Sequence, residues 1–174
     1  MDNVQTVQPC VIFLTGLSGA GKTTIANELE HRFIKDGVVP VMLDGDEIRK
    51  AIKLTAFDEA ARKKHNLAAG RLAAEAEAAG NIVIVALIAP YKEVREEIRT
   101  MCNNFIEVYL CTDIKVCMER DTKGLYKKAI SGEIKDFTGI SAPYYPPVNA
   151  EVVVDTAVLT VQQCAEIILA VVKK

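Results

Sequence analysis

The sequence lacks the features that mark a nucleic-acid-binding, secreted or membrane protein. Its 174 residues carry 21 lysines and arginines against 23 aspartates and glutamates, so no basic excess favours general nucleic-acid binding. The longest apolar run, residues 82–90, falls far short of the about 20 residues that cross a bilayer. Residues 1–10 lack the basic run and apolar stretch of a secretory signal. We therefore expect a cytoplasmic protein with no membrane or nucleic-acid partner.

Cysteine and histidine are too few and too scattered to suggest a disulfide framework or a zinc site. The five cysteines are odd in number and include no Cys-x-x-Cys pair, which favours small apolar core residues in a reducing compartment. The two histidines, His31 and His65, stand apart in the sequence, and we expect neither of them to bind a metal.

Short apolar runs alternate with helical periodicity along the whole chain. This pattern predicts one α/β domain over residues 1–174, with a five-stranded parallel sheet between two helical layers. The predicted strands are residues 11–15, 38–43, 82–88, 105–111 and 152–154. The predicted helices are residues 23–35, 47–52, 58–79 and 93–101, one capped by Asp113 and ending near Arg120, and 161–172.

Residues 121–149 differ in composition from the rest of the chain. Glycine, proline, lysine and aromatic residues are interleaved there, as in loop-rich segments that close over an active site. We predict that this stretch, the lid segment, covers the site. An ordered surface excursion is the alternative interpretation.

A phosphate-binding motif lies between the first predicted strand and helix. Residues 16–23 read Gly-Leu-Ser-Gly-Ala-Gly-Lys-Thr and fit G-x-x-x-x-G-K-[ST] in full. Backbone N–H groups of such a loop hold phosphate oxygens, the lysine reaches the β- and γ-phosphates, and the threonine hydroxyl binds Mg²⁺. The motif therefore predicts ATP and Mg²⁺ as cofactors. The predicted nucleotide contacts are Gly16, Ser18, Gly19, Ala20, Gly21, Lys22, Thr23 and Thr24.

The motif alone does not determine the fate of the phosphate. One small domain without an Asn/Thr-Lys-x-Asp guanine-reading sequence favours a small-molecule kinase. The strand 82–88 has no terminal aspartate for magnesium, so Asp44-Gly45-Asp46, after the second strand, is the best substitute. Asp46 is the candidate to accept the hydroxyl proton or organise Mg²⁺, and Asp44 to position the loop. A turn with a helix N-cap is the alternative reading.

Cationic and aromatic side chains suggest where the phosphate acceptor binds. Arg49 lies one helical turn after Asp46 and could share its cleft, where Arg62 and Lys92 would add to an anion-binding surface. Taken by itself, each of these residues is more often a solvated surface charge. Two aromatic residues, Phe57 and Phe137, could stack on a purine or belong to the core.

The sequence resembles the adenylylsulfate kinase family, P-loop kinases that phosphorylate the ribose 3′-hydroxyl of adenylylsulfate in sulfate assimilation. The resemblance covers nearly the whole chain. It rests on residues 13–24, on residues 43–46 with Arg49 and on Ala89-Pro90-Tyr91. It rests most specifically on residues 105–109, then on Arg120-Asp121, Lys123-Gly124-Leu125-Tyr126-Lys127-Lys128-Ala129 and residues 132–140.

This resemblance implies roles for individual residues. Phe57 and Phe137 would stack on the two faces of the adenine of adenylylsulfate, and Arg49 and Arg62 would hold its phosphosulfate. Lys22 and Asp46 would be the catalytic residues. The remaining implied contacts are Arg120 and Lys123 toward the ATP phosphates or the acceptor, and Asp44, His65 and Asn66 toward the substrate. Family members are often dimers, which implies a homodimer.

The departures from the family pattern cluster on the acceptor side, whereas the ATP side matches. Glu47 and His65 stand where the family has asparagine, with Asn66 one place late. Ala89 replaces serine, Lys92 arginine, and Asp136 a glycine. Two alternatives stay open: a sister kinase for another nucleotide anhydride or small hydroxyl compound, and a non-catalytic nucleotide-binding module.

Overall fold

The computed structural model describes residues 7–173. Most of residues 1–10, where we expect no secretory signal, therefore lies outside the described part of the chain. The strands are β1 (Cys10–Thr15), β2 (Val41–Asp44), β3 (Ile82–Ala86), β4 (Phe105–Leu110) and β5 (Val152–Val154). The helices are α1 (Lys22–Lys35), α2 (Gly45–Ala51), α3 (Glu59–Ala78), α4 (Lys92–Met101), α5 (Ile114–Arg120), α6 (Leu125–Ile130) and α7 (Val161–Val172).

All strands of the described chain form one parallel sheet in the order β2-β3-β1-β4-β5. The predicted α/β fold with a five-stranded parallel sheet is thus confirmed. Strand β1 lies in the middle, paired with β3 on one side and β4 on the other. Because the strands are parallel, the loops after β1, β2 and β3 all emerge at the same edge, where open α/β sheets bind ligands.

Two apolar layers cover the two faces of the sheet. Alternate residues of β1 point to opposite faces: Ile12 packs in the layer containing α1 and α7, and Phe13 in the layer containing α3 and α4. Every residue of β1 is buried, as expected for a central parallel strand. The phosphate-binding loop therefore begins at the end of the central, fully buried strand.

Three predicted boundaries shift by two residues or more in the structure, and several others shift by one. Strand β2 begins at Val41 rather than at residue 38, since the Val38 amide bonds to Phe33 O at the end of α1 and Pro40 has no N–H to donate. Strand β3 ends at Ala86 rather than at residue 88. Helix α2 begins at Gly45, two residues early, because the side chain of Asp44 caps it.

Helix α6 was not predicted, since the lid segment read as loop. The helix follows Gly124, whose φ of 66° lies in the left-handed region. The carboxylate of Asp121 accepts hydrogen bonds from the backbone amides of Tyr126 and Lys127, both at 3.0 Å. These local contacts satisfy the free amides of the first turn and start a helix within a glycine-rich stretch.

Candidate functional site

The phosphate-binding loop connects β1 to α1 at the ligand-binding edge of the sheet. Gly19 has a φ of 79°, and a Cβ there would lie 2.9 Å from the carbonyl oxygen of Cys117, so only glycine fits. Helix α1 begins after Gly21 without a side-chain cap and has no acidic residue in its first turn. Its positive end is thus free to face an anion.

Lys22 lies folded against the loop that precedes it. Its Nζ donates to the carbonyl oxygens of Gly16, at 2.9 Å, and of Leu17, at 2.8 Å. Burial, the largest effect, lowers the pKa of the Lys22 ammonium to about 8. A nearby anion strongly stabilises an ammonium group that is poorly hydrated. Lys22 is therefore suited to contact phosphate.

Three side chains from outside the loop donate hydrogen bonds to the carbonyl groups of Ser18, Gly19 and Ala20. The Tyr126 hydroxyl donates to Ser18 O at 2.7 Å, Arg120 Nη1 donates to Gly19 O at 3.1 Å, and Thr156 Oγ1 donates to Ala20 O at 2.7 Å. Each carbonyl from Gly16 to Ala20 therefore accepts a side-chain hydrogen bond. These bonds hold the carbonyl groups of the loop in defined positions.

Thr156 connects the loop to two further elements. Its Oγ1 lies 2.8 Å from Arg120 Nη1 and 2.8 Å from Thr112 Oγ1, and its backbone N–H donates to Thr112 Oγ1 at 3.1 Å. Sequence reasoning missed both threonines as site residues. A signal was available, since each of them follows the carboxyl end of a strand at the edge where ligands bind.

Asp44 and Asp46 have different environments. Asp44 Oδ1 accepts from the backbone amides of Asp46, at 2.9 Å, and Glu47, at 3.4 Å, so Asp44 is the N-cap of α2. The cap interpretation therefore applies to Asp44. The carboxylate of Asp46 is exposed, and its Oδ2 lies 3.1 Å from Lys123 Nζ on the lid segment. Asp46 therefore faces the lid segment from α2, and its action on a ligand stays a prediction.

Arg49, Phe57 and Arg62 form a cationic and aromatic cluster beside Asp46. The Arg49 guanidinium lies 4.3 Å from the centre of the Phe57 ring, and its Nη1 donates to Ala56 O at 2.7 Å. Burial and the nearby positive charge of Arg62 both lower the pKa of Arg49. The two guanidinium groups lie close enough to repel each other, and a bound anion would reduce this repulsion.

His65 and Asn66 lie beneath this region. His65 Nε2 is 2.8 Å from the carbonyl oxygen of Gly45, and since a carbonyl only accepts, Nε2 carries the proton. Burial, the largest effect, lowers the pKa of His65, which favours the neutral ring. Asn66 is buried, and its Oδ1 has no partner among the described residues. His65 thus supports the start of α2, and direct substrate contact by either residue stays a prediction.

Three other residues that differ from the family pattern, Asp136, Glu47 and Lys92, lie in different environments. Asp136 has a φ of 55°, a left-handed conformation that glycine adopts freely and aspartate tolerates. Glu47 pairs with Lys50 at 2.8 Å on the exposed face of α2, and Lys92 lies 3.5 Å from Glu96 on α4. The structure explains the glycine position, and it places Glu47 and Lys92 in surface ion pairs.

A buried arginine that sequence reasoning missed supports the loop after β3. Arg95, 2% exposed, pairs with Glu107 at 2.9 Å and donates to the carbonyl oxygens of Ala89 and Tyr145, both at 2.7 Å. Ala89 has a φ of 44°, a strained conformation for alanine. Arg95 therefore holds a strained turn at the ligand-binding edge of the sheet.

Comparison with known proteins identifies relatives along nearly all of the chain. The family model described as adenylylsulphate kinase matches residues 8–155. The adenylyl-sulfate kinase of Geotalea daltonii is 44% identical over 95% of this chain and 83% of its own. The probable adenylyl-sulfate kinase of Halalkalibacterium halodurans is 42% identical over 94% and 83%. The structure of the Mycobacterium tuberculosis APS kinase in complex with AMPPNP and APS superposes with a TM-score of 0.91, at 30% identity over 96% of this chain and 99% of its own.

Proposed function

The chain belongs to the adenylylsulfate kinase family, and we infer that it transfers the γ-phosphoryl group of ATP to the ribose 3′-hydroxyl of adenylylsulfate. The product of this reaction is 3′-phosphoadenylylsulfate. The structural observation that carries this inference is the juxtaposition of an intact phosphate-binding loop with the exposed carboxylate of Asp46. The loop would hold the donor, and the carboxylate would face the acceptor.

On the donor side, the loop and α1 supply the contacts for ATP. The solved relative from M. tuberculosis contains the ATP analogue AMPPNP, which supports the same donor here. Lys22 would place its ammonium on the β- and γ-phosphates, where negative charge develops during transfer. The amides of Gly19, Gly21 and Thr24 would cradle the phosphates. Arg120 is already tied to Gly19 O and would stabilise the same loop.

Two side-chain oxygen groups at the site, the Thr23 hydroxyl and the Asp46 carboxylate, are the proposed Mg²⁺ ligands. Among residues 7–173, no group of three or more His, Cys, Asp and Glu side chains is arranged to hold a metal ion. Mg²⁺ commonly binds through one or two protein oxygens together with substrate phosphates. The Thr23 hydroxyl, in the first turn of α1, and Asp46 fit this role. When bound, Mg²⁺ would neutralise phosphate charge.

On the acceptor side, Asp46 would accept the proton of the 3′-hydroxyl as it attacks the γ-phosphorus. Arg49 and Arg62 would hold the phosphosulfate, since each guanidinium matches the geometry of an oxyanion. Phe57 and Phe137 would stack on the adenine. The APS bound in the M. tuberculosis structure supports adenylylsulfate over the alternative acceptors.

Compartment and assembly remain proposals. No helix in residues 7–173 is long and apolar enough to span a membrane. We place the enzyme in the cytoplasm, where ATP is abundant, and we propose a homodimer by resemblance to the family. Light scattering on the purified protein would decide between monomer and dimer.

Regiochemistry tests the proposed function. The enzyme should release ADP with 2′-deoxyadenylylsulfate, which keeps the 3′-hydroxyl, and should not with 3′-deoxyadenylylsulfate. A product phosphorylated at any other position, or turnover of the 3′-deoxy analogue, would contradict the assignment. Because the two acceptors differ only in which hydroxyl is missing, binding differences are minimised.

A further inference from the structure

The phosphate-binding loop and Phe137 are joined through one buried side chain, Tyr126. This residue lies on α6 and is 2% exposed. Its hydroxyl donates to Ser18 O at 2.7 Å, and its ring meets the Phe137 ring edge-on, with 5.0 Å between the ring centres and an interplanar angle of 76°. The hydroxyl of Tyr126 therefore contacts the phosphate-binding loop, and its ring contacts Phe137. We call Phe137, the proposed stacking surface for the adenine of the acceptor, the acceptor platform.

The position of Tyr126 is fixed from both sides. Asp121 accepts from the amides of Tyr126 and Lys127 and holds the start of α6 in place. A buried hydroxyl needs a partner, and Ser18 O supplies it. If Ser18 O moves, the ring must follow or leave that hydroxyl without a partner. A displacement of Ser18 O would therefore act on α6 through this contact.

A second contact links the loop to the turn that follows Phe137. A Cβ added to Gly139 would lie 3.1 Å from Leu17 Cδ2 and 3.1 Å from Ile114 Cδ1, so the Leu17 side chain packs against this turn. The Phe137 amide donates to Ser141 Oγ at 2.9 Å, which keeps the platform and the turn together. Phe137 is thus connected to the loop by two independent routes.

We propose that Tyr126 is a positioning residue that couples nucleotide binding at the loop to acceptor binding at Phe137. The proposal rests on the proposed function, since it requires adenylylsulfate to bind beside Phe137. Phosphates that order the loop would fix Ser18 O and, through Tyr126, the acceptor platform. Each ligand then binds more tightly when the other is present, and the two effects are equal because binding linkage is reciprocal.

A cycle of four dissociation constants tests the coupling. The affinity for adenylylsulfate is measured with and without a saturating non-hydrolysable ATP analogue, and the reciprocal titration is run as a check. Tyr126→Phe removes only the hydroxyl and keeps the ring against Phe137. Tyr145→Phe is the matched control, since the Tyr145 ring is half exposed and packs on Tyr91 instead.

We expect adenylylsulfate to bind more tightly with the analogue present in the wild type and in Tyr145→Phe, by the same factor. In Tyr126→Phe that factor should fall about fivefold, the equilibrium effect of one net hydrogen bond. A purely structural role would weaken binding equally with and without the analogue and would leave the ratio unchanged.

The outcomes separate this proposal from the proposed function. A wild-type ratio retained in Tyr126→Phe, or a wild type that binds both ligands without coupling, overturns the proposal and leaves the function intact. A wild type that binds the analogue but never adenylylsulfate overturns both. If Tyr126→Phe does not fold, Asp121→Ala replaces it, since it releases the start of the helix that carries Tyr126, and an unchanged ratio there overturns the proposal as well.

Discussion

Lys123 Nζ lies 3.1 Å from Asp46 Oδ2, although the two residues are 77 positions apart in the chain. Both side chains are largely exposed, so this ion pair contributes little to stability. Its importance is positional, because it joins the lid segment to the carboxylate that follows β2. The proposed catalytic base therefore faces the segment that carries the proposed acceptor platform.

Replacing Asp46 with asparagine tests the base directly. We expect Asp46→Asn to lower kcat about 10²–10⁴-fold, the range for a lost general base, because the amide cannot take the hydroxyl proton. The Kd for ATP measured without Mg²⁺ should change little. Glu47→Gln is the matched control, since Glu47 is the neighbouring exposed carboxylate and pairs with Lys50. An Asp46→Asn enzyme with the wild-type kcat would remove this residue from the mechanism.

The lowered pKa of Lys22 predicts a pH dependence of ATP binding. In the free protein the ammonium loses its proton near pH 8, whereas phosphate contact favours the charged form. ATP binding should therefore take up a proton above pH 8, and ATP affinity should fall as the pH rises through that value. A fluorescent ATP analogue titrated from pH 7 to about pH 10 measures this effect.

The control for this pH dependence is Lys22→Arg. The guanidinium stays protonated over the whole range, so the variant should bind more weakly but with a flatter pH profile. A wild-type affinity that does not change between pH 7 and about pH 9.5 would show that the amine stays charged in the free protein.

Truncating Phe137 should affect the two substrates unequally. Loss of one stacking surface in Phe137→Ala should weaken adenylylsulfate binding by about 1–3 kcal/mol, the range for base–aromatic stacking. ATP affinity without adenylylsulfate should change much less. Phe137→Tyr, which keeps the aromatic face, should retain most of the affinity. Equal losses for both ligands, measured by calorimetry, would contradict the stacking assignment.

The buried Arg95–Glu107 pair should contribute far more to folding than an exposed pair. Arg95→Met leaves Glu107 buried without this partner and removes donors from Ala89 O and Tyr145 O. We expect the free energy of unfolding, from urea titration, to fall by about 3–5 kcal/mol. Lys50→Ala breaks the exposed Glu47 pair and should cost less than about 1 kcal/mol. Similar losses in both variants would contradict a structural role for Arg95.

The sequence predicted the elements whose pattern is local. Strand β5 and helix α7 have the predicted boundaries, and the phosphate-binding loop lies between β1 and α1 as its motif implied. Helix α6 escaped prediction because its start depends on Asp121 and on the left-handed Gly124 within a glycine-rich segment.

The side chains that hold the phosphate loop were the hardest part of the site to predict. Tyr126 reaches Ser18 across 108 positions, and Thr156 reaches Ala20 across 136. Both bonds end on backbone carbonyl groups, which look alike at every position of a sequence. Only the fold brings these partners together, whereas Lys22 and Thr23 were predictable because the motif itself carries them.

The most direct test of the central claim is an ADP-release assay with Mg-ATP and micromolar adenylylsulfate, run beside AMP as acceptor. The two acceptors share the adenosine and differ in the sulfate that Arg49 and Arg62 would help to hold. We predict rapid turnover with adenylylsulfate and little with AMP. No ADP release with adenylylsulfate from a protein that still binds ATP would contradict the account, and would show that the altered acceptor side serves another substrate.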